Sequence, residues 1–236
     1  MTLIALAPAS TQADQVFNRL RSDILSCRLA PGSKIRINEV AARLDVSLGA
    51  VREALSRLSA EGMAIAQAQK GYSIAPVSEE ELLDLTTTRV SIEQLCLRRA
   101  VEHGDVEWET AMVATFHRLH RIPERDAVDP TLLNEAWSQA HGAFHAALVS
   151  ACRSGWLLRL RGMLYAQTER YRRLSVPLRR EERDVDAEHR AMMDAALARN
   201  ADHLCGLISD HLWRTTRIVL SSPVLNAPTQ DLASGS

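Results

Sequence analysis

Apolar residues recur three and four positions apart through most of this 236-residue chain, the spacing of amphipathic helices. Between Pro31 and Pro76 that rhythm breaks in an informative order. A helix over about Thr11 to Cys27 comes first. A short helical pattern follows from Asn38 to Leu44, with Val40, Ala41 and Leu44 on one face. Asp45-Val46-Ser47 reads as a tight turn, with Ser47 suited to cap the next helix. That helix, Leu48 to Ala60, carries the stripe Val51, Ala54, Leu55 and Leu58 and leaves Arg52, Ser56 and Ser59 on other faces. After Gly62 the period shortens. Met63, Ile65, Tyr72 and Ile74 read as strand residues, and Gln69-Lys70-Gly71 as the tip between them. Helix, turn, helix and ribbon in this order predict a winged helix-turn-helix, whose second helix can enter a major groove. The basic, glycine-bearing tip suits a phosphate or a minor groove. A small structural subdomain that binds nothing is the plainer alternative, and the joint presence of turn, cap and ribbon argues against it.

From Pro76 onward the pattern is helical, with no strand-like alternation and no internal repeat. Ser78 and Glu81 form a capping box for a helix to about Glu102. Further helices are predicted over Asp105–His120, Thr131–Ala151, Ser154–Leu174, Glu181–Ala198 and Asp202–Leu220, with a loop from Glu124 to Pro130 and a break at Pro177. The fold expected is mainly α: a winged helix-turn-helix over residues 11–76 and an antiparallel bundle of about six helices over 78–221.

Four histidines stand out inside the predicted bundle. His141 and His145 are four apart, so they share a helical face beside the stripe Trp137, Ala140, Phe144 and Leu148. His189 falls in the stripe Val185, Met192, Met193 and Ala196, and His211 in the stripe Leu204, Leu207, Ile208, Thr215 and Ile218. A lone histidine on an apolar face is usually a satisfied core residue. Four on three helices call for a common cause, because an unpaired buried imidazole is costly and a shared metal ion removes that cost. Nitrogen-only ligation favours Zn, Ni or Cu over Mn or Mg, so one divalent transition metal per chain, Zn or Ni, is expected. His103, His117, His120 and His203 fall off the stripes and are read as surface residues. The run Arg170-Tyr171-Arg172-Arg173 is read as a solvated helix end.

Charge adds to this picture through its distribution. The net charge is only −1. Residues 1–76 hold 9 Lys+Arg against 6 Asp+Glu, and residues 77–236 hold 19 against 23, so the basic excess lies with the predicted DNA reader. The four cysteines, Cys27, Cys96, Cys152 and Cys205, are widely spaced, which predicts buried thiols of a reduced cytoplasmic protein rather than a disulfide framework. No run of about 20 apolar residues predicts a membrane span. The first ten residues lack a basic start, which argues against a signal peptide. They and the tail from Ser222 read as frayed ends.

The N-terminal third resembles the DNA-binding domain of GntR-family transcription regulators. Pro31-Gly32, Val46-Ser47, Val51-Arg52-Glu53-Ala54-Leu55, Leu58, Glu61, Gly62 and Gly71 stand where the family has them. That resemblance implies a homodimer on a pseudo-palindromic double-stranded operator. The residues expected at the DNA are Ser47, Gly49, Arg52, Lys70 and Gly71. The family often has an arginine after Val-Ser; here Leu48, Gly49 and Ala50 follow, so more of the base reading falls to Arg52.

The remainder resembles the C-terminal FCD domain of the FadR subgroup. Phe144-His145-Ala146-Ala147-Leu148, Glu188-His189 and His211-Leu212 match its motifs. The resemblance implies a metal held by His145, His189 and His211, with His141 where the family has aspartate. It also implies a small carboxylate effector. Arg89, in Arg89-Val90-Ser91-Ile92-Glu93, could clamp that carboxylate with its planar fork or simply pair with Glu93 one turn on. Arg161 is the weaker candidate, with a structural ion pair as its favoured reading. The function expected is a transcription regulator, not an enzyme, whose operator affinity is set by a small carboxylate at the metal. A metal-dependent hydrolase or lyase, and a sensor of the ion itself, are the alternatives.

Overall fold

The computed structural model describes residues 11–26, 28–67, 70–178 and 183–221. Within them the chain forms two compact units that divide between Val77 and Ser78. Cys27, Gln69, Glu181 and the tail from Ser222, all used in the sequence reading, lie outside the described residues.

The first unit opens with α1 (Gln12–Leu25), capped at Thr11 by a reciprocal box with Asp14. Its inner face places Val16, Leu20 and Ile24 against α3 (Leu48–Ala60), whose Val51, Ala54, Leu55 and Leu58 are fully buried. Between them in sequence comes α2 (Ile37–Leu44), which packs on α3 and ends at Asp45 in the left-handed conformation (φ 52°). Aspartate tolerates that conformation, and its backbone N–H donates to Ala41 and Ala42 carbonyls. Ser47 then accepts a 3.1 Å hydrogen bond from the N–H of Ala50 and starts α3. The wing is a three-stranded antiparallel sheet of order β1-β3-β2: β1 (Lys34–Ile35), β2 (Ala64–Gln67) and β3 (Gly71–Ile74). Two strands were expected. The third is a two-residue segment, too short to show a period, and it is fixed by pairing Lys34 with Ser73 and Ile35 with Tyr72.

The second unit contains six α-helices among the described residues: α4 (Glu79–His103), α5 (Val106–His120), α6 (Glu135–Val149), α7 (Gly155–Leu178), α8 (Val185–Leu197) and α9 (Ala201–Leu220). Side chains cap most of their starts: Ser78, Asp105, Asn134, Asp184 and Asn200 each accept from a backbone N–H of the first turn. Cys96, Leu97, Phe116, Phe144, Met192 and Ile208 lie at the centre of one apolar core. Gly104 separates α4 from α5 where no side chain fits, since a Cβ there would come within 2.1 Å of the Trp108 ring.

Three boundaries differ by several residues from the sequence reading, one of them the start of α8, which lies at Val185 behind its cap Asp184 where a helix from Glu181 was expected. α6 begins at Glu135 rather than Thr131, because Asp129 ties back the backbone and side chain of Thr131 and Leu133 bridges to Arg125. α7 runs through Pro177 to Leu178. Proline in a last turn removes only one terminal hydrogen bond, and the nearby carbonyls of Arg172 and Val176 accept from Ser175 and Arg125.

Candidate metal centre and nucleic-acid interface

The periodicity that puts Trp137, Ala140, Phe144 and Leu148 into the core turns His141 and His145 inward on α6. His189 enters from α8 and His211 from α9. All four are buried, at 1 to 5% exposure. Their ring centroids lie 4.4 to 6.0 Å apart. One nitrogen from each falls within 4.8 Å of the others. His145 Nε2 and His189 Nε2 are 3.3 Å apart, about the separation of two nitrogens around a tetrahedral zinc with bonds of ~2.0–2.1 Å. Among the described residues the buried Nε2 of His141 has no hydrogen-bond partner.

The outer nitrogens are held in a way that suits ligation. Nδ1 of His211 is 2.7 Å from Glu188 Oε2, and Nδ1 of His141 is 3.2 Å from the Tyr165 hydroxyl. A metal-bound histidine commonly donates its other N–H to such a partner, which fixes the ring and its tautomer. Burial, with added repulsion from neighbouring charges, pushes all four imidazoles below their ordinary value of 6.5. That direction favours the neutral imidazole, the state that binds metal. Glu188 is buried enough to raise its carboxyl, but hydrogen bonds from Arg183 and His211 outweigh this and hold it well below the carboxylate range. Four inward nitrogens with one orphan, backed by an ionised carboxylate, fit a divalent metal ion.

Beside this cluster lies a small cavity of about 30 Å³, lined by Arg89, His141, Tyr165, Arg172, His211 and neighbours. Arg89 is buried on α4. It donates to Thr168, faces Glu93 at 3.4 Å, and lies over the Tyr165 ring. Its Nε has no partner among the described residues. Both sequence readings of Arg89 thus find contacts here: an ion pair, and a place on the cavity wall. Arg161 does not line the cavity. Its guanidinium donates to Glu93 and to the His145 carbonyl, both at 2.9 Å, so it props the backbone of a candidate ligand from behind.

The run Arg170-Tyr171-Arg172-Arg173 is not a solvated helix end. Arg170 and Tyr171 are 1 and 2% exposed, and the Tyr171 hydroxyl donates to Glu81 at 2.7 Å. Arg172 reaches the cavity, bonds Glu169 and Ser138, and lies over Trp137. The inward face of α7 is polar: Arg161 is buried while Leu160 is 43% exposed. The apolar spacing Leu157, Leu160, Leu164 and Thr168 marks Leu160 as inward instead. Extending the marked stripe one turn past Thr168 would have reached Arg172.

In the first unit, Ser47 caps α3, and Gly49 lies exposed in its first turn with no atom closer than 3.8 Å to where a Cβ would stand. Arg52 is exposed and makes no ion pair among the described residues. Lys70 is exposed at the wing, and Gly71 takes φ +87°, which only glycine adopts freely. Arg43 and Arg28 instead face the buried Asp23, at 3.8 and 2.9 Å, and so serve the scaffold.

A winged helix-turn-helix joined in one chain to a histidine-lined helical unit defines a one-component DNA-binding regulator. Residues 12–74 match the bacterial regulatory proteins of the gntR family, and residues 84–214 match the FCD domain. The HTH-type transcriptional regulator BphR of Paraburkholderia xenovorans, itself uncharacterized, is 42% identical over 216 residues, covering 92% of this chain and 88% of that one. The HTH-type transcriptional repressor GlaR of Escherichia coli K12 is 34% identical over 207 residues, covering 85% and 92%. The solved structure of E. coli McbR/YncC shares the fold, with a TM-score of 0.72 at 17% identity over 89% of this chain and 97% of that one. The chain belongs to the GntR family, in its FCD-bearing, FadR-like subgroup, and is a DNA-binding transcription regulator. That membership answers the hydrolase or lyase alternative, because the family and these relatives are transcription regulators. No described helix is long and apolar enough to cross a membrane.

Proposed function

We propose that residues 11–76 read the operator and residues 78–221 sense a small carboxylate at a metal held by His141, His145, His189 and His211. The single observation that carries this reading is the convergence of four buried imidazoles on one point, with the unpartnered Nε2 of His141 among them. His141 replaces a carboxylate ligand with a neutral one, so the ion's charge is less compensated and an anion is favoured beside it. Arg89, with its free Nε, would hold the carboxylate of that anion. Nitrogen ligation favours Zn or Ni. At the other unit, Arg52 would contact base edges or the neighbouring phosphate, Ser47 and Gly49 would bring the α3 backbone close to the DNA, and Lys70 with Gly71 would approach a second groove. The exposed Leu48 offers an apolar edge of the kind that meets a thymine methyl. The protein would act as a homodimer, since a two-fold operator mirrors a two-fold reader. Repression, as with its relative GlaR, is the simplest output: bound carboxylate would lower operator affinity. The test is a thermal-shift screen of small organic acids on metal-loaded protein, because a ligand of the native state alone raises the melting temperature. Stabilisation by carboxylates that vanishes on chelation supports the reading, and no response from any acid opposes it.

A further inference from the structure

α3 buries Ala50, Val51, Ala54, Leu55 and Leu58 and leaves Leu48, Gly49, Arg52, Glu53 and Ser56 exposed. A lone apolar residue on a surface is ordinary. Leu48 differs by its place. It is the first residue of the helix, directly after the Ser47 cap, and 42% of it is open to solvent. Among the described residues it is the one large apolar side chain on an exposed face of α3 that is otherwise polar or bare. The start of the helix does not depend on it: Ser47 accepts from the Ala50 N–H, and Val51, not Leu48, turns into the core.

Residues four apart share a helical face, so Leu48 and Arg52 stand one above the other, about 6 Å apart along the axis. Gly49 adds no side chain beside them, and a Cβ there would meet nothing nearer than Ser47 Oγ at 3.8 Å. Packing therefore does not require the glycine, and its bareness leaves Leu48 uncovered on that side. In the major groove the bases differ in what they show the protein. Guanine offers two acceptors, cytosine a donor, adenine one of each, and thymine an acceptor beside a methyl group. Leucine has neither donor nor acceptor. Against guanine, adenine or cytosine it would bury a polar edge without a partner, which is costly. Against thymine it would meet the methyl, and both groups would give up apolar surface that faced water.

We propose that Leu48 is a specificity-determining residue: it selects one thymine in each half of the operator by packing on the 5-methyl group. This rests on the reading of α3 as the helix that enters the major groove. The separation of about 6 Å between Leu48 and Arg52 spans about two base-pair steps of ~3.4 Å. The selected thymine therefore stands within about two steps of the base pair that Arg52 faces. Burying one methyl against one leucine is worth about threefold to fivefold in affinity, and two half-sites compound this to about tenfold or more.

The experiment uses the full chain. A duplex site is selected from a random pool with the wild-type protein. Each thymine of it is then replaced in turn, in both half-sites at once, by deoxyuridine, which lacks only the methyl. Fluorescence anisotropy reads the affinity. Replacement at one symmetric pair of thymines weakens wild-type binding about tenfold, while in Leu48→Ala the same replacement changes affinity by less than about twofold. At that position 5-methylcytosine binds the wild-type protein more tightly than cytosine, and this difference also disappears in Leu48→Ala. Leu48 is exposed, so the variant keeps its fold, which circular dichroism checks. Deoxyuridine tolerated at every thymine, with Arg52→Ala still weakening binding, overturns the role of Leu48 and leaves α3 as the reading helix; this arm needs no Leu48 variant. A methyl effect of equal size in Leu48→Ala also overturns it, since another side chain then holds the methyl. Operator affinity unchanged in Arg52→Ala and Leu48→Ala alike overturns the reading of α3 itself, and the role of Leu48 with it.

Discussion

His145 Nε2 and His189 Nε2 lie 3.3 Å apart although 44 positions separate the two residues in sequence. At that distance one neutral imidazole can donate its Nε2–H to the other, or both lone pairs can turn toward a cation between them. Phe144 sits beside the pair, and its ring packs edge-on to both histidines.

The first prediction follows from that pair. Protein purified without chelator carries about one divalent ion per chain, Zn or Ni rather than Mn. Alanine at His145, His189 or His211 empties the site and lowers the melting temperature. His141→Asp keeps an ion and shifts preference toward harder cations. Elemental analysis of each variant is the check, and an empty wild-type site is the opposing result.

A second prediction concerns the shell behind the ligands. Glu188→Gln keeps the volume but weakens the acceptor of His211 Nδ1–H, and costs roughly 10–100-fold in metal affinity. Tyr165→Phe removes the neutral partner of His141 and costs less. Chelator-competition titrations measure both. Unchanged affinity in Glu188→Gln would mean that His211 is oriented by packing alone.

How much of this was legible beforehand depends on which physical signal each residue leaves. His141, His145, His189 and His211 interrupt apolar stripes, so polarity at a buried position exposed them. The turn at Asp45 and the cap at Ser47 have local chemistry and were equally plain. Arg172 and Glu169 were missed because the inward face of α7 is itself polar, and amphipathic reasoning assigns polar faces to water, whereas Tyr165, which its aromatic ring marks as a pocket neighbour, does line the cavity. β1 was missed because two residues have no period, and its existence depends on β3, 37 to 39 positions further on. Pro177 was over-read, since its cost depends on distance from the helix end, which local sequence does not set.

The pH dependence of stability has a definite sign. The four imidazoles are pushed below 6.5 in the folded chain, so below that pH the unfolded chain binds protons that the folded chain refuses. Their contribution is complete above pH 6.5 and is lost as pH falls, by up to about 1.4 kcal/mol per pH unit for each group. Metal-free protein should lose urea stability steeply between pH 6.5 and 5, above the carboxylate range, and His189→Gln should lose less. A flat profile over that window would contradict the assignment.

At the DNA, Arg52→Ala should weaken binding to a selected site by roughly 1–3 kcal/mol and relax its sequence preference. Lys70→Ala should weaken all sequences alike and flatten the salt dependence. Anisotropy titrations at two salt concentrations separate the two effects. Full operator affinity in Arg52→Ala would show that α3 does not read bases through that residue.

The central claim is that a carboxylate controls operator affinity through the metal, and one linked titration tests it most directly. Operator binding is measured with and without succinate, for metal-loaded protein and for metal-free protein whose helical circular dichroism is intact. In the metal-loaded form, succinate should change the operator dissociation constant by about fivefold or more, the range of an ordinary coupling energy. The metal-free form should not respond, and Arg89→Ala should respond weakly while keeping its metal. A response of equal size in metal-free protein would contradict the account.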